Sequence, residues 1–90
     1  MANTESAKKR VRQNVKRRAL NRWRMRNMRT AIKAFDKALA NGELDNAASA
    51  FKTASAVVDK TAQKGVIHRN QAARRKSRMS ARLKKAKAAG

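Results

Sequence analysis

The residues of this sequence that can do chemistry are its cations. The chain of 90 residues has 25 lysines and arginines, five acids and one histidine, which gives a formal net charge of +20. Both side chains neutralise phosphates, and the planar fork of arginine can hold a phosphate by two hydrogen bonds. Charge of this size on so short a chain predicts a polyanionic partner, most often a nucleic acid.

The other reactive side chains complete no catalytic or metal-binding set. The absence of cysteine excludes disulfides, thiol catalysis and cysteine zinc sites. His68 is the single histidine, and no nearby acid or activated serine accompanies it. The sequence therefore predicts no enzyme, no metal, no cofactor and no small-molecule substrate. We interpret His68 as a helix-start residue that is hydrogen-bonded to backbone or phosphate.

The charge is concentrated at the two ends of the chain. Residues 1–29 carry eleven lysines and arginines against one acid, and residues 65–90 carry nine against none. Residues 30–64 are nearly neutral, with five cations and four acids. We therefore expect the middle to pack on itself and the ends to meet the polyanion.

Two interior glycines and the absence of proline predict three helices that would position these cations. Gly42 and Gly65 are placed to end the first two helices in a left-handed conformation. The helices are predicted over about residues 7–40, 45–64 and 68–87.

Caps and apolar spacing support these elements. Ser6 is the predicted N-cap of the first helix, and Asp45, with Asn46 as a competitor, that of the second. Apolar residues recur at helical spacing and predict one buried stripe on each helix. The stripes are Met28, Ile32, Phe35 and Leu39, then Ala47, Phe51, Ala54 and Val58, then Ala72, Met79, Leu83 and Ala86. The predicted fold is an all-α three-helix bundle with a long, basic N-terminal helix that extends beyond the core.

Residues 7–27 have cations on nearly every face and four isolated apolar residues, Val11, Val15, Leu20 and Trp23. Like charges three and four residues apart weaken an isolated helix. We predict that this part is partly disordered when free and becomes helical when phosphates neutralise it.

Other binding classes fit less well. The chain has no zinc-finger ligand set, no leucine heptads and no aromatic platform for single-stranded RNA. It has neither an apolar run of about 20 residues nor an apolar leader segment, so no membrane partner is expected. A nucleoid-type DNA-binding protein and a membrane-active amphipathic peptide are the alternatives, although residues 7–27 lack a broad apolar face.

Three segments carry a resemblance to a known family. Residues 64–78 read KGVIHRNQAARRKSR, residues 28–33 read MRTAIK, and Ala2, Asn3 and residues 6–10 (SAKKR) stand near the N-terminus. In this order they resemble the S-twenty family of bacterial small-subunit ribosomal proteins. The resemblance covers the whole chain, residues 1–90, as one domain.

The resemblance implies a cytoplasmic protein of the ribosome that binds 16S rRNA directly and early in assembly. It implies contacts with the 5′ domain and with the long penultimate stem near the 3′ end. The neutral middle would then hold two basic faces that clamp different RNA helices. Specificity would come from RNA shape and from a few contacts at Asn14, Asn21, His68 or Asn70.

The candidate RNA-binding residues combine the family match with the charge pattern. They are Ser6, Lys8, Lys9, Arg10, Arg12, Gln13, Lys16, Arg17, Arg18, Arg22, Arg29, His68, Arg69, Asn70, Arg74, Arg75, Lys76 and Arg78. Two positions depart from the family pattern, Glu5 and Trp23. Trp23 could stack on an exposed base or pack at the end of the bundle core, and packing is favoured.

Overall fold

The computed structural model describes residues 5–89, which form three α-helices in chain order. They are α1 (Glu5–Ala40), α2 (Leu44–Gln63) and α3 (Arg69–Ala89). The predicted all-α bundle with a long first helix is confirmed. Ser6 lies within α1, so its prediction as an N-cap is wrong. Ala2 and Asn3 of the resemblance, and Gly90 at the end of the predicted domain, lie outside the described residues.

Both turns between the helices depend on a glycine with a positive φ angle. Gly42 has a φ of 73° and Gly65 a φ of 75°, a conformation that costs other residues free energy. The N–H of Gly42 donates to the carbonyl of Leu39 at 3.1 Å, and that of Glu43 to Ala38 at 3.0 Å. In the second turn the N–H of Gly65 donates to the carbonyl of Ala62 at 2.9 Å, and that of Val66 to Thr61 at 3.1 Å. These are Schellman caps, as the glycine positions predict.

The start of α2 differs from the sequence prediction. Glu43 is the N-cap, without a side-chain cap bond, and Asp45 lies in the first turn. The amide of Asn46 donates to the carboxylate of Glu43 at 3.1 Å. Asp45 is therefore not the cap, and neither is its competitor. The reason is that the Schellman bond already fixes Glu43, so the helix begins at the next residue.

The core lies where α2 packs against both α1 and α3. Its buried apolar residues are Met28, Phe35, Ala38, Ala47, Ala54, Val58, Ile67, Ala72, Met79 and Leu83. The predicted stripe members Ile32, Leu39, Phe51 and Ala86 are half-buried. Because alanines fill much of this core, the area that it buries is small.

Two aromatic rings and one threonine complete the core. The rings of Phe35 and Phe51 are tilted by 51° with centroids 6.0 Å apart, a favourable arrangement. Thr61 is buried, and its hydroxyl donates to the carbonyl of Val57 at 2.7 Å. This bond satisfies the buried hydroxyl. The apolar pattern of the sequence did not predict that Thr61 belongs to the core.

Two ion pairs hold α3 to the other helices. Lys76 Nζ lies 3.0 Å from Asp59 of α2, and Arg82 pairs with Asp36 of α1. The Arg82 guanidinium also lies 5.9 Å from the centre of the Phe35 ring, within reach of a cation–π contact.

The molecule is elongated because α1 continues past the core. Its principal extents are 66 × 22 × 14 Å, and the Cα radius of gyration is 17.9 Å. A compact domain of this length would have a radius of gyration of about 12 Å. Over residues 5–89, the helices are too polar for any of them to span a bilayer.

Candidate nucleic-acid interface

Residues 5–20, which we call the bare part of α1, form a charged helix without tertiary packing on the core. From residue 5 to residue 20 every side chain except that of Ala7 is exposed, including Val11 and Val15 at 61% each. Its candidate residues, all exposed, are Ser6, Lys8, Lys9, Arg10, Arg12, Gln13, Lys16, Arg17 and Arg18. Cations lie on every side of this segment, so it can contact phosphates in all directions around its axis.

From Arg18 onwards, most of the cations of α1 lie in one line. Five of them stand at spacings of four, four, three and four residues, which places them on one face of the helix. This set, the α1 stripe, consists of Arg18, Arg22, Arg26, Arg29 and Lys33. All five line one shallow groove and are exposed. Arg26 and Lys33 are absent from the sequence-predicted site, although their spacing from Arg22 and Arg29 could have indicated them.

A second basic surface lies on α3. Arg74, Arg78 and Lys85 are exposed and stand at spacings of four and seven residues, so they share the face turned away from the core. We call these three residues the α3 face. Lys85 was missed by the sequence prediction. Arg75 is half-buried instead, and its Nε atom is buried without a hydrogen-bond partner in the described part of the chain.

Most of the positive charge in residues 5–89 has no acidic partner. The ion pairs in this range involve two cations, Lys76 and Arg82. Lys76, a candidate RNA contact, is therefore engaged with Asp59 and half-buried, whereas the α1 stripe and the α3 face are unpaired. A cluster of exposed, unpaired cations repels itself and favours a bound anion.

The three candidates near the start of α3 are exposed and close together. His68 is the N-cap: its carbonyl accepts from Ala72 N–H at 3.1 Å, and its Nδ1 atom accepts from Asn70 N–H at 3.0 Å. This bond leaves Nε2 as the ring atom that can reach a partner. Arg69 and Asn70 lie in the first turn, where the helix dipole favours an anion.

Trp23 does not pack in the core. Its side chain is 58% exposed and lines a concave surface between α1 and α2, so the favoured packing prediction is wrong. Among residues 5–89, no three histidine, cysteine, aspartate or glutamate side chains are grouped so as to hold a metal ion.

A small helical bundle with two exposed basic surfaces is typical of structural proteins that bind polyanions through surface charge. The family model for ribosomal protein S20 matches residues 2–84. The chain is 52% identical to small ribosomal subunit protein bS20 of Acidithiobacillus ferrooxidans, over 93% of this chain and 92% of that protein. It is 46% identical to bS20 of Nitrosomonas eutropha, over 93% of this chain and 97% of that protein. It is 49% identical to bS20 of Aquifex aeolicus, over 96% of this chain and 92% of that protein.

The chain therefore belongs to the ribosomal protein S20 family. The resemblance inferred from the sequence is confirmed over nearly its full length. Members of this family are structural proteins of the small ribosomal subunit and are not enzymes. The basic charge of the chain agrees with this ribosomal role. The protein is therefore a component of the ribosome, in the cytoplasm.

Proposed function

We propose that this protein binds 16S rRNA directly and clamps the 5′ domain to the long penultimate stem near the 3′ end as the small subunit assembles. One observation carries the proposal: the α1 stripe and the α3 face are two separate sets of unpaired cations on helices that both pack against α2. A single basic face can bind one RNA helix. Two faces that share a folded core can bridge two.

The clamp works by neutralising phosphates. Each lysine or arginine that meets a phosphate releases counterions, and this gain does not depend on RNA sequence. The bare part of α1 has cations on all sides, which suits a helix inserted between RNA helices. The shape of the RNA and the relative position of its helices then supply the specificity. Further specificity comes from contacts at the exposed Asn14, His68 and Asn70 and at the half-buried Asn21.

The proposed contact residues are the eighteen candidates from the sequence, with Arg26, Lys33 and Lys85 added from the structure. Lys76 is already paired with the exposed carboxylate of Asp59, so it offers less unneutralised charge to RNA than the other candidate lysines do. Arg75 is half-buried, so it offers less of its side chain to RNA than the exposed arginines do.

The experiment is a salt-titrated binding assay with three ligands of equal phosphate content: a 16S 5′-domain transcript, tRNA and duplex DNA. We expect the transcript to be preferred at about 0.15 M salt, while the two other affinities fall by several decades over a fourfold rise in salt. Equal binding to all three that vanishes together would contradict the proposal and favour a nucleoid-type polycation.

Clamping needs a separate measurement, which is co-capture of two RNA fragments. An immobilised 5′-domain transcript should retain a labelled penultimate-stem transcript when the protein is present. Charge-neutral variants of the α1 stripe or of the α3 face should each abolish co-capture while leaving binding to one fragment. Co-capture that survives both variants would overturn the clamp.

A further inference from the structure

A concave surface between α1 and α2 is not part of either basic face. Its volume is about 330 Å³, within the range of about 300–1,000 Å³ that is usual for ligand sites. Trp23 and Asn27 of α1 form one wall, and Val57, Lys60 and Lys64 stand on the side of α2. We call this surface the Trp23 groove.

The wall on α1 combines a flat aromatic ring with a polar amide. Trp23 and Asn27 are four residues apart, so their side chains are neighbours on one helix face. The indole is 58% exposed, and the half-buried Val57 adds apolar surface opposite it. The Asn27 side chain has no hydrogen-bond partner within residues 5–89, which leaves both an N–H donor and a C=O acceptor available.

The rim of the groove is basic. Arg24, Lys60 and Lys64 line it, and no acid does. A second concave surface shares Arg24 and Lys64 and continues along α1 to Lys16 and Arg17, again without an acid. The two surfaces form a continuous positively charged path that begins at the exposed indole.

We propose that the Trp23 groove binds an unpaired purine nucleotide of RNA, with adenine preferred. The base stacks on Trp23, its edge pairs with the Asn27 amide, and the adjoining phosphates lie along Arg24 and Lys64. The inference rests on the proposed function, because it adds a base-reading site to a protein that otherwise contacts RNA through phosphates.

Each part of the ligand matches a feature of the groove. Aromatic side chains bind unstacked bases, which is how proteins read single-stranded segments of RNA. An asparagine amide can make two hydrogen bonds to adenine and fits other bases less well. A paired base within an A-form helix could not reach the indole, and an apolar protein segment would leave the cations of the rim unmatched.

The test uses the fact that Trp23 is the single tryptophan of the chain, so intrinsic fluorescence reports on this groove. The full-length protein is titrated with hexaadenylate and with an abasic hexamer of the same phosphate number. We expect saturable quenching by hexaadenylate and an affinity at least fivefold higher than that for the abasic hexamer. Phosphate binding alone gives equal affinities and no base-dependent quenching, and that result would overturn the proposal.

Variants separate the groove from general charge, with binding followed by the anisotropy of labelled hexamers. Trp23→Ala should equalise the affinities for the two hexamers, and Asn27→Ala should remove the preference for hexaadenylate over hexauridylate. The matched control is Val15→Ala, which removes another exposed apolar side chain of α1 and should change neither ratio. Because Trp23 is exposed, circular dichroism should show unchanged helicity in the variant.

The outcome for the groove can be distinguished from that for the proposed function. If the wild-type protein prefers the 5′-domain transcript but Trp23→Ala leaves the hexaadenylate affinity unchanged, the groove inference fails and the rRNA clamp stands. If the wild-type protein shows no preference for the transcript, the clamp itself fails. An unchanged affinity for adenylate in Asn27→Ala would overturn the assignment of adenine.

Discussion

At the scale of single residues, His68 has a structural function that its sequence context only outlined. Its ring accepts the N–H of Asn70 at 3.0 Å and caps α3, the helix that carries the α3 face. This agrees with the interpretation of His68 as a helix-start residue rather than a catalyst.

Removing this cap should destabilise the bundle. We expect His68→Ala to lower the free energy of unfolding by about 1 kcal/mol, the usual cost of a lost side-chain cap. His68→Asn, which supplies another acceptor, should stay within a few tenths of a kcal/mol of the wild type. Urea denaturation followed by circular dichroism measures both. Equal losses in the two variants would show that the cap bond is not the cause.

The largest effect of one substitution on stability is expected at Phe35. Its ring is fully buried and contacts Phe51 and Arg82, so Phe35→Ala should cost about 3–5 kcal/mol. Phe51→Ala should cost less, because that ring is half-buried. Thermal unfolding tests this, with the exposed Val11→Ala as the control that changes little. A Phe35 variant as stable as the control would contradict the assigned core.

Periodicity predicted the core where residues are apolar and failed where they are not. Met28, Phe35 and Val58 follow the helical spacing and are buried. Thr61 is buried as well, but a hydroxyl gives no apolar signal until its bond to the preceding turn is known. Likewise, the pairing of Lys76 with Asp59 joins residues 17 positions apart on different helices, which spacing along one helix does not reveal.

At the scale of elements, α1 has two parts with different supports. From Met25 onwards it packs on the core, whereas residues 5–20 contribute no side chain to the core. Helices without tertiary packing are marginal in water, and like charges weaken them further. The structure therefore describes the helical state of a segment that has little to hold it when no anion is bound.

The prediction that residues 7–27 order on binding can be tested directly. We expect the helical signal of the free protein at low salt to fall short of the fraction in the structure and to rise when a 5′-domain transcript is added. Circular dichroism, with the spectrum of the RNA subtracted, measures the change. Full helicity of the free protein would disprove it.

The α3 face should affect affinity without affecting folding. Replacing Arg74 and Arg78 by glutamine removes two phosphate contacts, so the slope of log affinity against log salt should become shallower by about 2. Helicity should not change, because both side chains are exposed and outside the two ion pairs. Lys52→Gln, an exposed cation of α2, is the control. Unfolding of the double variant would instead make these arginines structural.

The glycines predicted where the helices end more reliably than side chains predicted where they begin. A positive φ is a strong local requirement, and both interior glycines meet it. An N-cap depends on how the preceding turn closes. The turn at Gly42 already bonds Glu43 to α1, and this contact displaced the expected cap at Asp45. The first turn of a helix cannot be placed without that information.

At the scale of the whole molecule, shape and charge act together. The core holds three helices over part of the 66 Å length, and the rest is a charged helix that projects from it. The distribution of charge along the sequence predicted a nearly neutral middle that packs and two basic ends that stay exposed. The composition of the Trp23 groove could not be predicted, because it joins an indole on α1 to Lys60 of α2 and to Lys64, which follows α2.

The bare part of α1 also bears on the lifetime of the unassembled protein. Proteases act on segments that open locally, and opening is easiest where few contacts oppose it. Residues 5–20 are such a segment, and trypsin-like proteases cut after the lysines and arginines that fill it. Bound RNA would cover these bonds. Copies made in excess of RNA would then be trimmed first from this end and lose half of the candidate RNA-binding residues, so that the amount of intact protein follows the amount of RNA.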